Sequence, residues 1–504
     1  MKDNHRENIE IRNMLTKIQK LIQDLNENGI SYCHWKSNSS LSEVLVGQTD
    51  VDLLVRRKDA DSFRIIMNQL SFRPATMQVG ESFPAVEHYF GLDHETGILV
   101  HVHAYFQVIT GESLAKNFHL PIEKMLLKNL REEDSVRVPT KSAELVVFTL
   151  RMMLKHTSLV ELVLLARDWK HISQEIEWLL EGGSLDESVE LVRSWLPSVD
   201  VRVFSECVAA LKSPAPLMRR MQLGLRLRSM LRIYSRHSAI WAALSGWQKL
   251  SIMAFRRLTR FQRGMIPQSG GAVIAFVGPE ATGKSTLLAE VKNWLGEHLV
   301  VEQIHAGKPR STLLTLMPNI LLPALRYLLP TSRSNQIETS RLANEQSKKS
   351  QEVYPLIFAI RSVLLAYDRR ALLTRAFSRA SNGSIILCDR YPSLSKEAPD
   401  GSQLQHFDLS PNRYPIRHFL AGVEKRLYQE IPMPDLVISL SVPMEVALMR
   451  NKTRGKEEPE EYVRLRHSQT SNPNFGNTPV CNISTDQPLE QTVLEVKKTI
   501  WESL

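Results

Sequence analysis

The chain has 504 residues, 43% hydrophobic and 23% charged, with a formal charge of +9; this is too long for one hydrophobic core and too apolar for disorder to be its main state, so two to four folded domains are expected. No uninterrupted apolar run reaches the ~18 residues that a membrane-spanning helix needs, the opening MKDNHRENIE lacks an apolar signal core, and Cys33, Cys207, Cys388 and Cys481 form no CxxC pair. These features argue against a secreted disulfide framework and a cysteine zinc site, and predict a cytoplasmic protein with free thiols whose positive balance suits an anionic partner.

From about Ile9 to Asn28, apolar residues recur at helical spacing (Ile11, Leu15, Ile18, Leu21, Ile22, Leu25), which predicts an amphipathic helix ending at Asn28-Gly29. VDLLV, residues 51–55, reads as a strand, and Asp50 and Asp52, two apart, project to one of its faces. Two carboxylates on one face can hold a hard divalent cation. Upstream stand Trp35-Lys36-Ser37. Together these segments resemble the minimal nucleotidyltransferase family, whose signature is a hydrophobic residue, glycine, Gly or Ser, and then Asp-x-Asp or Asp-x-Glu after a short spacer. The resemblance covers residues 10 to 125 and implies a metal-binding role for Asp50 and Asp52. Two departures matter: Lys36 replaces the glycine, and the strand ILVHVHAYF offers His101 and His103 where the family's third acid is expected. A two-metal site with one carboxylate fewer binds metal more weakly.

Residues 142–211 change to long apolar-periodic segments with few glycines, which predicts a helical domain carrying His156 and His171 as polar-edge residues. Between Glu206 and Glu280 there is no acidic residue, while Arg219, Arg220, Arg226, Arg228, Arg232, Arg236, Lys249, Arg256, Arg257, Arg260 and Arg263 alternate with apolar and aromatic residues. Such a segment covers a helical domain with its arginines in water, or meets an anionic membrane surface; nucleic acid is the least favoured partner. Residues 266–271, IPQSGG, read as a linker.

The apolar run AVIAFV then feeds GPEATGKST, residues 278–286. A strand entering a glycine-rich turn that opens a helix aims backbone N–H groups and the positive helix end at one spot, where a polyphosphate fits. In this P-loop pattern Gly278 and Gly283 permit the turn, Lys284 reaches the β/γ-phosphates of ATP, Ser285 supplies a hydroxyl to Mg²⁺, and Thr286 completes the segment. Alternating β and α segments follow and predict a parallel sheet covered on both faces. Asp389 ends the buried strand IILC, where a P-loop enzyme places an acid that orients Mg²⁺.

Several of these segments together resemble thymidylate kinase, over residues 272 to 504. Glu280 is third in the phosphate loop, LLAYDRRALL matches the segment whose arginine, here Arg369, grips the acceptor's phosphate, and Asp389-Arg390-Tyr391 matches the DRY motif. PDLVISLSVPMEVALMRNKTRG resembles the strand and helix that lead into the family's lid, which would carry Arg450, Lys452, Arg454 and Lys456. The resemblance implies that Arg390 and Tyr391 help bind the acceptor and that lid arginines close over ATP. After DRY the family's base-reading segment is replaced by PSLSKEAPDGSQLQ, and insertions at residues 309–340 and 396–430 occupy the acceptor side. The phosphate machinery is thus kept while base reading is altered, which favours a nucleoside monophosphate or another phosphorylated small molecule as acceptor.

The expected architecture is therefore α/β multidomain: a nucleotidyltransferase-like domain at residues 1–135, a helical domain with a basic flank at 136–265, a linker at 266–271, and a thymidylate kinase-like domain at 272–504. This pairing resembles bacterial fusion proteins associated with surface-polysaccharide genes. The function expected is ATP- and Mg²⁺-dependent phosphotransfer. The alternatives are nucleotidyl transfer in activated-sugar metabolism, or a nucleotide-dependent switch without catalysis.

Overall fold

A parallel strand pair lies within each half of the chain, and each half folds as its own unit, Met1–Gln262 and Arg263–Leu504. The computed structural model describes every residue except 1–13, 78–82, 113–115, 156–168, 213–215, 239–250, 252–263, 313–314, 317–355, 396–397, 399, 407–410, 413, 454–457 and 471–472. Among the described residues no helix is long and apolar enough to cross a membrane.

In the first unit the predicted amphipathic helix forms as α1 (Thr16–Glu27), which buries Ile18, Leu21, Ile22 and Leu25. It stops where Gly29 turns left-handed at φ 65°, a conformation that costs glycine little. There follow β1 (Tyr32–His34), α2 (Leu41–Leu45), β2 (Val51–Val55), α3 (Ala60–Gln69), β3 (Arg73–Met77), β4 (Val86–Leu92) and β5 (Leu99–Tyr105). These strands lie in the order β1-β2-β5-β4-β3, with β2 and β5 parallel and the other pairs antiparallel.

The period-two rule divides this sheet into two faces. Tyr32, Leu53, Val55, Val100 and Val102 pack against α1 and α3. Cys33, Trp35, Leu54 and Tyr105 join a different cluster, with the helices that follow. After β6 (Val108–Thr110), β7 (Phe118–Leu120), α4 (Glu123–Lys128), β8 (Leu130–Glu133) and β9 (Val136–Pro139) come α5 (Lys141–Lys155), α6 (Trp169–Gly182), α7 (Leu185–Trp195), α8 (Val201–Lys212) and α9 (Leu217–Met230). Nearly every residue of α5 is buried, as its continuous apolar sequence requires. Across the boundary expected near residue 135, Trp35 and Leu54 share one core with Phe148, Phe204 and Leu227, so strands and helices pack within one unit.

The basic flank is described through α9 and the residues just after it. Leu223, Leu227 and Leu231 are buried, Arg228 pairs with Glu112 at 2.7 Å, and the Arg220 guanidinium lies 4.0 Å from the centre of the Trp169 ring. This part of the flank covers the helices. Lys249, Arg256, Arg257, Arg260 and Arg263 lie outside the described residues, as does His156.

The expected linker, residues 266–271, lies within the second unit. β10 (Met265–Pro267) bonds to the His298 and Val300 backbone, and the Gly271 amide donates to Ala380, so these residues belong to the fold. The sheet runs β12 (Val301–His305), β13 (Ile385–Asp389), β11 (Val273–Val277), β14 (Leu436–Ser441), β15 (Val480–Ser484), and all four pairings are parallel. The helices are α10 (Lys284–Gly296), α11 (Leu356–Ser381), α12 (Pro415–Gln429), α13 (Met444–Lys452), α14 (Glu460–Thr470) and α15 (Leu489–Ser503). The central strand VIAFV is buried on both faces, as a parallel sheet demands. Ligands of such sheets bind beyond the strands' carboxyl ends; for β11 and β13 these ends are Val277 and Asp389.

Candidate active site

Residues 278–283 connect β11 to α10, and three backbone conformations shape this turn. Gly278, Ala281 and Gly283 all have positive φ, at 139°, 65° and 82°. A Cβ on Gly278 would overlap the Leu440 carbonyl oxygen, so glycine is required for the loop to leave the sheet against β14. Lys284 opens α10, and its ammonium donates to the Gly278 carbonyl at 2.9 Å and the Pro279 carbonyl at 2.5 Å. Burial lowers the Lys284 pKa to about 8, against the upward pull of Glu280. Ser285 and Thr286, in the first turn, are exposed.

Glu280 collects the cations around the loop. Its Oε1 lies 2.6 Å from Arg390 Nη2 and 3.9 Å from Arg466 Nη2, and its backbone carbonyl lies 3.2 Å from His467 Nε2. Burial opposes ionisation of Glu280, yet Arg390 and Lys284 hold its carboxyl below the ordinary range. Arg390 follows β13 with φ 68°, a conformation unusual for a side-chain-bearing residue, and its amide donates to Phe276 on β11. Its Nη1 is 3.5 Å from Asp400. Asp389 ends β13 opposite Phe276, with His305 3.9 Å from its carboxylate. A cavity lined by Gly278, Arg390, Asp400, Arg466 and Thr470 opens beside the loop, with Tyr391 and Phe475 in its wall.

Lys284, Glu280, Asp389 and Arg390, singled out in the sequence, thus come together around one loop. Three of the expected residues are bonded within the fold. Arg369 is 3% exposed, and it donates to the carbonyls of Ala306 at 2.8 Å and Asp400 at 2.7 Å and to the Tyr428 hydroxyl at 2.5 Å. A guanidinium committed in this way positions Asp400 and the loop after β12. The Tyr391 hydroxyl is likewise committed, to the Pro432 carbonyl at 2.6 Å, leaving only its ring to shape the cavity. Arg450 bonds the Thr485 carbonyl at 2.8 Å, which fixes α13 to the end of β15. Arg454 and Lys456 lie outside the described residues. Sequence reasoning missed Asp400, inside an insertion, and Arg466 and His467, inside the charge-alternating helix EEYVRLRHSQT; their alternation looks like an ordinary solvated face.

The oxygens available for a magnesium ion are the Ser285 hydroxyl and the Asp389 carboxylate, both hard donors of the kind this ion takes alongside water and phosphate. Their types suit Mg²⁺, and the close approach enforced at Gly278 suits a backbone cradle for phosphates.

The first unit carries a second polar constellation, on the sheet face opposite α1. Asp52 pairs with Lys36 at 2.7 Å and with His103 Nδ1 at 3.2 Å. Asp50 Oδ1 lies 2.9 Å from His101 Nδ1. Burial opposes ionisation of both carboxyls, but Lys36 above all holds Asp52 below the carboxylate range, and the His101 hydrogen bond lowers Asp50. Both carboxylates expected to hold a hard cation are thus engaged by neighbouring side chains. One is neutralised by an ammonium, and both orient imidazoles. His88, from β4 and opposite His103, sits 3.3 Å from His101 Nε2, and burial pushes its pKa down to about 3.

No family model matches the chain. It is 24% identical over 236 residues to the Escherichia coli K12 protein described as uncharacterized ATP-binding protein YghR, covering 45% of this chain and 86% of that one. It is also 26% identical over 209 residues to uncharacterized ATP-binding protein YghS of the same strain, covering 40% and 81%. Among solved structures, deoxyadenosine kinase from M. mycoides with bound dATP aligns with 45% of this chain and 98% of its own at 17% identity, with a TM-score of 0.27.

Proposed function

We propose that the C-terminal unit is an ATP- and Mg²⁺-dependent phosphotransferase of the thymidylate kinase-like class whose acceptor already carries a phosphate. The observation that carries this reading is the arginine pair beside the phosphate loop: Arg390 and Arg466 both line the cavity and both approach Glu280. A protein that only bound ATP would have no need of a second cationic site facing its P-loop. The distant similarity to two proteins described as ATP-binding supports the nucleotide part of the reading.

The reaction follows from charge. An oxygen of the acceptor's phosphate attacks the γ-phosphorus, the bond to the β–γ bridging oxygen breaks, and ADP leaves. Both reactants are anionic, so the protein's task is to bring them together and balance charge that spreads over the transferred group. Lys284 supplies charge from the nucleotide side, and Arg390 and Arg466 supply it from the acceptor side. Mg²⁺, held by Ser285 and Asp389, would neutralise the β- and γ-phosphates. Arg369 acts indirectly, by holding Asp400 against Arg390.

The test is ATP-dependent phosphorylation of a panel of nucleoside monophosphates and sugar phosphates by the full chain. Lys284→Ala is expected to lower nucleotide affinity and turnover together, and Asp389→Asn to spare ATP binding while slowing transfer. Arg466→Ala is expected to raise the KM for the acceptor. ATP binding with no transfer to any phosphorylated acceptor would replace this reading with the nucleotide-dependent switch. Nucleotidyl transfer by the N-terminal unit is disfavoured, because Asp52 is engaged by Lys36 where that chemistry needs a carboxylate free for metal.

A further inference from the structure

We propose that His88, His101 and His103 form a divalent transition-metal site in the N-terminal unit, with Zn²⁺ as the ion it fits best. Among the described residues this is the one cluster of histidines, cysteines or acids whose candidate donor atoms converge, all lying within 4.8 Å of one another. The histidines come from two adjacent strands, with His88 on β4 directly opposite His103 on β5 and His101 two residues before it, so the sheet register holds them on one face.

The arrangement of hydrogen bonds points the same way. Imidazoles that bind metal through one nitrogen usually give the other N–H to a carboxylate, which fixes tautomer and ring orientation. His101 and His103 each place Nδ1 against a carboxylate, Asp50 at 2.9 Å and Asp52 at 3.2 Å. That orients both Nε2 atoms toward the cluster, and His103 Nε2 is buried with no hydrogen-bond partner. The 3.3 Å between His88 Nδ1 and His101 Nε2 is the separation of two nitrogens on a tetrahedral zinc, about 3.4 Å for bonds of 2.0–2.1 Å. The converging donors are the three imidazoles alone, and the fourth position is left to water. Three imidazoles suit Zn²⁺ and its neighbours in the first transition row, and they suit Mg²⁺ poorly. The carboxylates would then serve a metal through the histidines they orient.

The full chain, stripped with chelator and dialysed against Zn²⁺ without nucleotide, is expected to retain about one zinc per chain by atomic emission. Co²⁺ in its place should give the visible absorption of a tetrahedral nitrogen site. His88→Gln and His103→Gln should each weaken binding at least tenfold, and Asp52→Asn by a smaller factor. If the histidine variants fail to fold, the Co²⁺ spectrum and a zinc-dependent rise in the melting temperature of the unaltered chain decide the question. Sub-stoichiometric zinc in the unaltered chain, or full zinc retention by a folded His88→Gln/His103→Gln double variant, would overturn the site and leave a hydrogen-bonded histidine cluster.

Discussion

Glu280 and Arg390, 110 residues apart in sequence, meet at 2.6 Å and fasten the middle of the phosphate loop to the end of β13. The same carboxylate also occupies the charge an incoming phosphate would seek. Glu280→Gln should therefore have opposite effects on two properties. The C-terminal unit should lose about 1–3 kcal/mol of stability, because a partly buried guanidinium loses its shortest ion pair. Affinity for ATP should stay the same or rise. Urea denaturation and calorimetric titration measure the two, and lower affinity at unchanged stability would contradict the assignment.

Arg390 holds φ 68° although it carries a side chain. Arg390→Ala and Arg390→Gly both remove the guanidinium, so both should abolish efficient transfer. Only glycine relieves the backbone, and the glycine variant should be the more stable of the two by about 1 kcal/mol. Equal melting temperatures would mean that the backbone relaxes when the side chain goes.

Lys284 has a pKa lowered to about 8 by burial. A bound polyphosphate favours the charged ammonium, so below pH 8 binding should involve little proton exchange at this residue. Above pH 8 the free protein must take up a proton to bind, and affinity should fall as pH rises. Calorimetry at pH 9 in two buffers of different ionisation enthalpy should reveal that uptake, and Lys284→Met should abolish it.

The Arg369 side chain bonds three separate segments through Ala306, Asp400 and Tyr428. Arg369→Ala should cost about 3–5 kcal/mol of stability, as removal of one member of a buried ionic network does. Arg369→Lys should recover little of it, because an ammonium cannot reproduce the planar fork. A fully stable alanine variant with a raised acceptor KM would restore the role first expected for this residue.

In the N-terminal unit, burial raises the pKa of Glu144 to about 7, while the Asn38 amide donates to its carboxylate. With the folded pKa raised, the contribution to stability is fully present below the unfolded value of about 4.5 and is lost as pH rises through about 7. Glu144→Gln should flatten this unit's stability between those limits. A parallel pH profile for variant and parent would show that Glu144 ionises freely.

Much of the second unit was legible in the chain because its signals are local. GPEATGKST specifies a loop through residues in immediate succession, and VIAFV, IILC and DLVISLSV read as buried strands from their own composition. The parts that were not legible depend on distant pairings. Asp400 acquires its role only when folding brings Arg369 and Arg390 to it from two other elements. The Asp50 and Asp52 pair was read correctly as sharing a face, but Lys36, 14 and 16 residues earlier, changes its electrostatics only after β1 pairs with β2. The core that strands and helices share in the first unit is hidden for a related reason. A change from strand to helix periodicity looks like a boundary, and the burial of Trp35 and Leu54 beneath later helices leaves no mark in either pattern.

β11 lies between β13 and β14, and Val273 meets Asp435 across 162 residues of chain. On the ribosome, the strand that carries the phosphate loop therefore emerges long before either neighbour exists. Its backbone has no sheet partner until residues near 386 have been synthesised, and its other edge stays unpaired until those near 436 follow. The biosynthetic cost of this topology is a prolonged interval in which VIAFV must be shielded by chaperones or by transient collapse. Slowing translation upstream of β14 should lengthen that interval and lower the yield of folded protein without altering one residue of the mature chain.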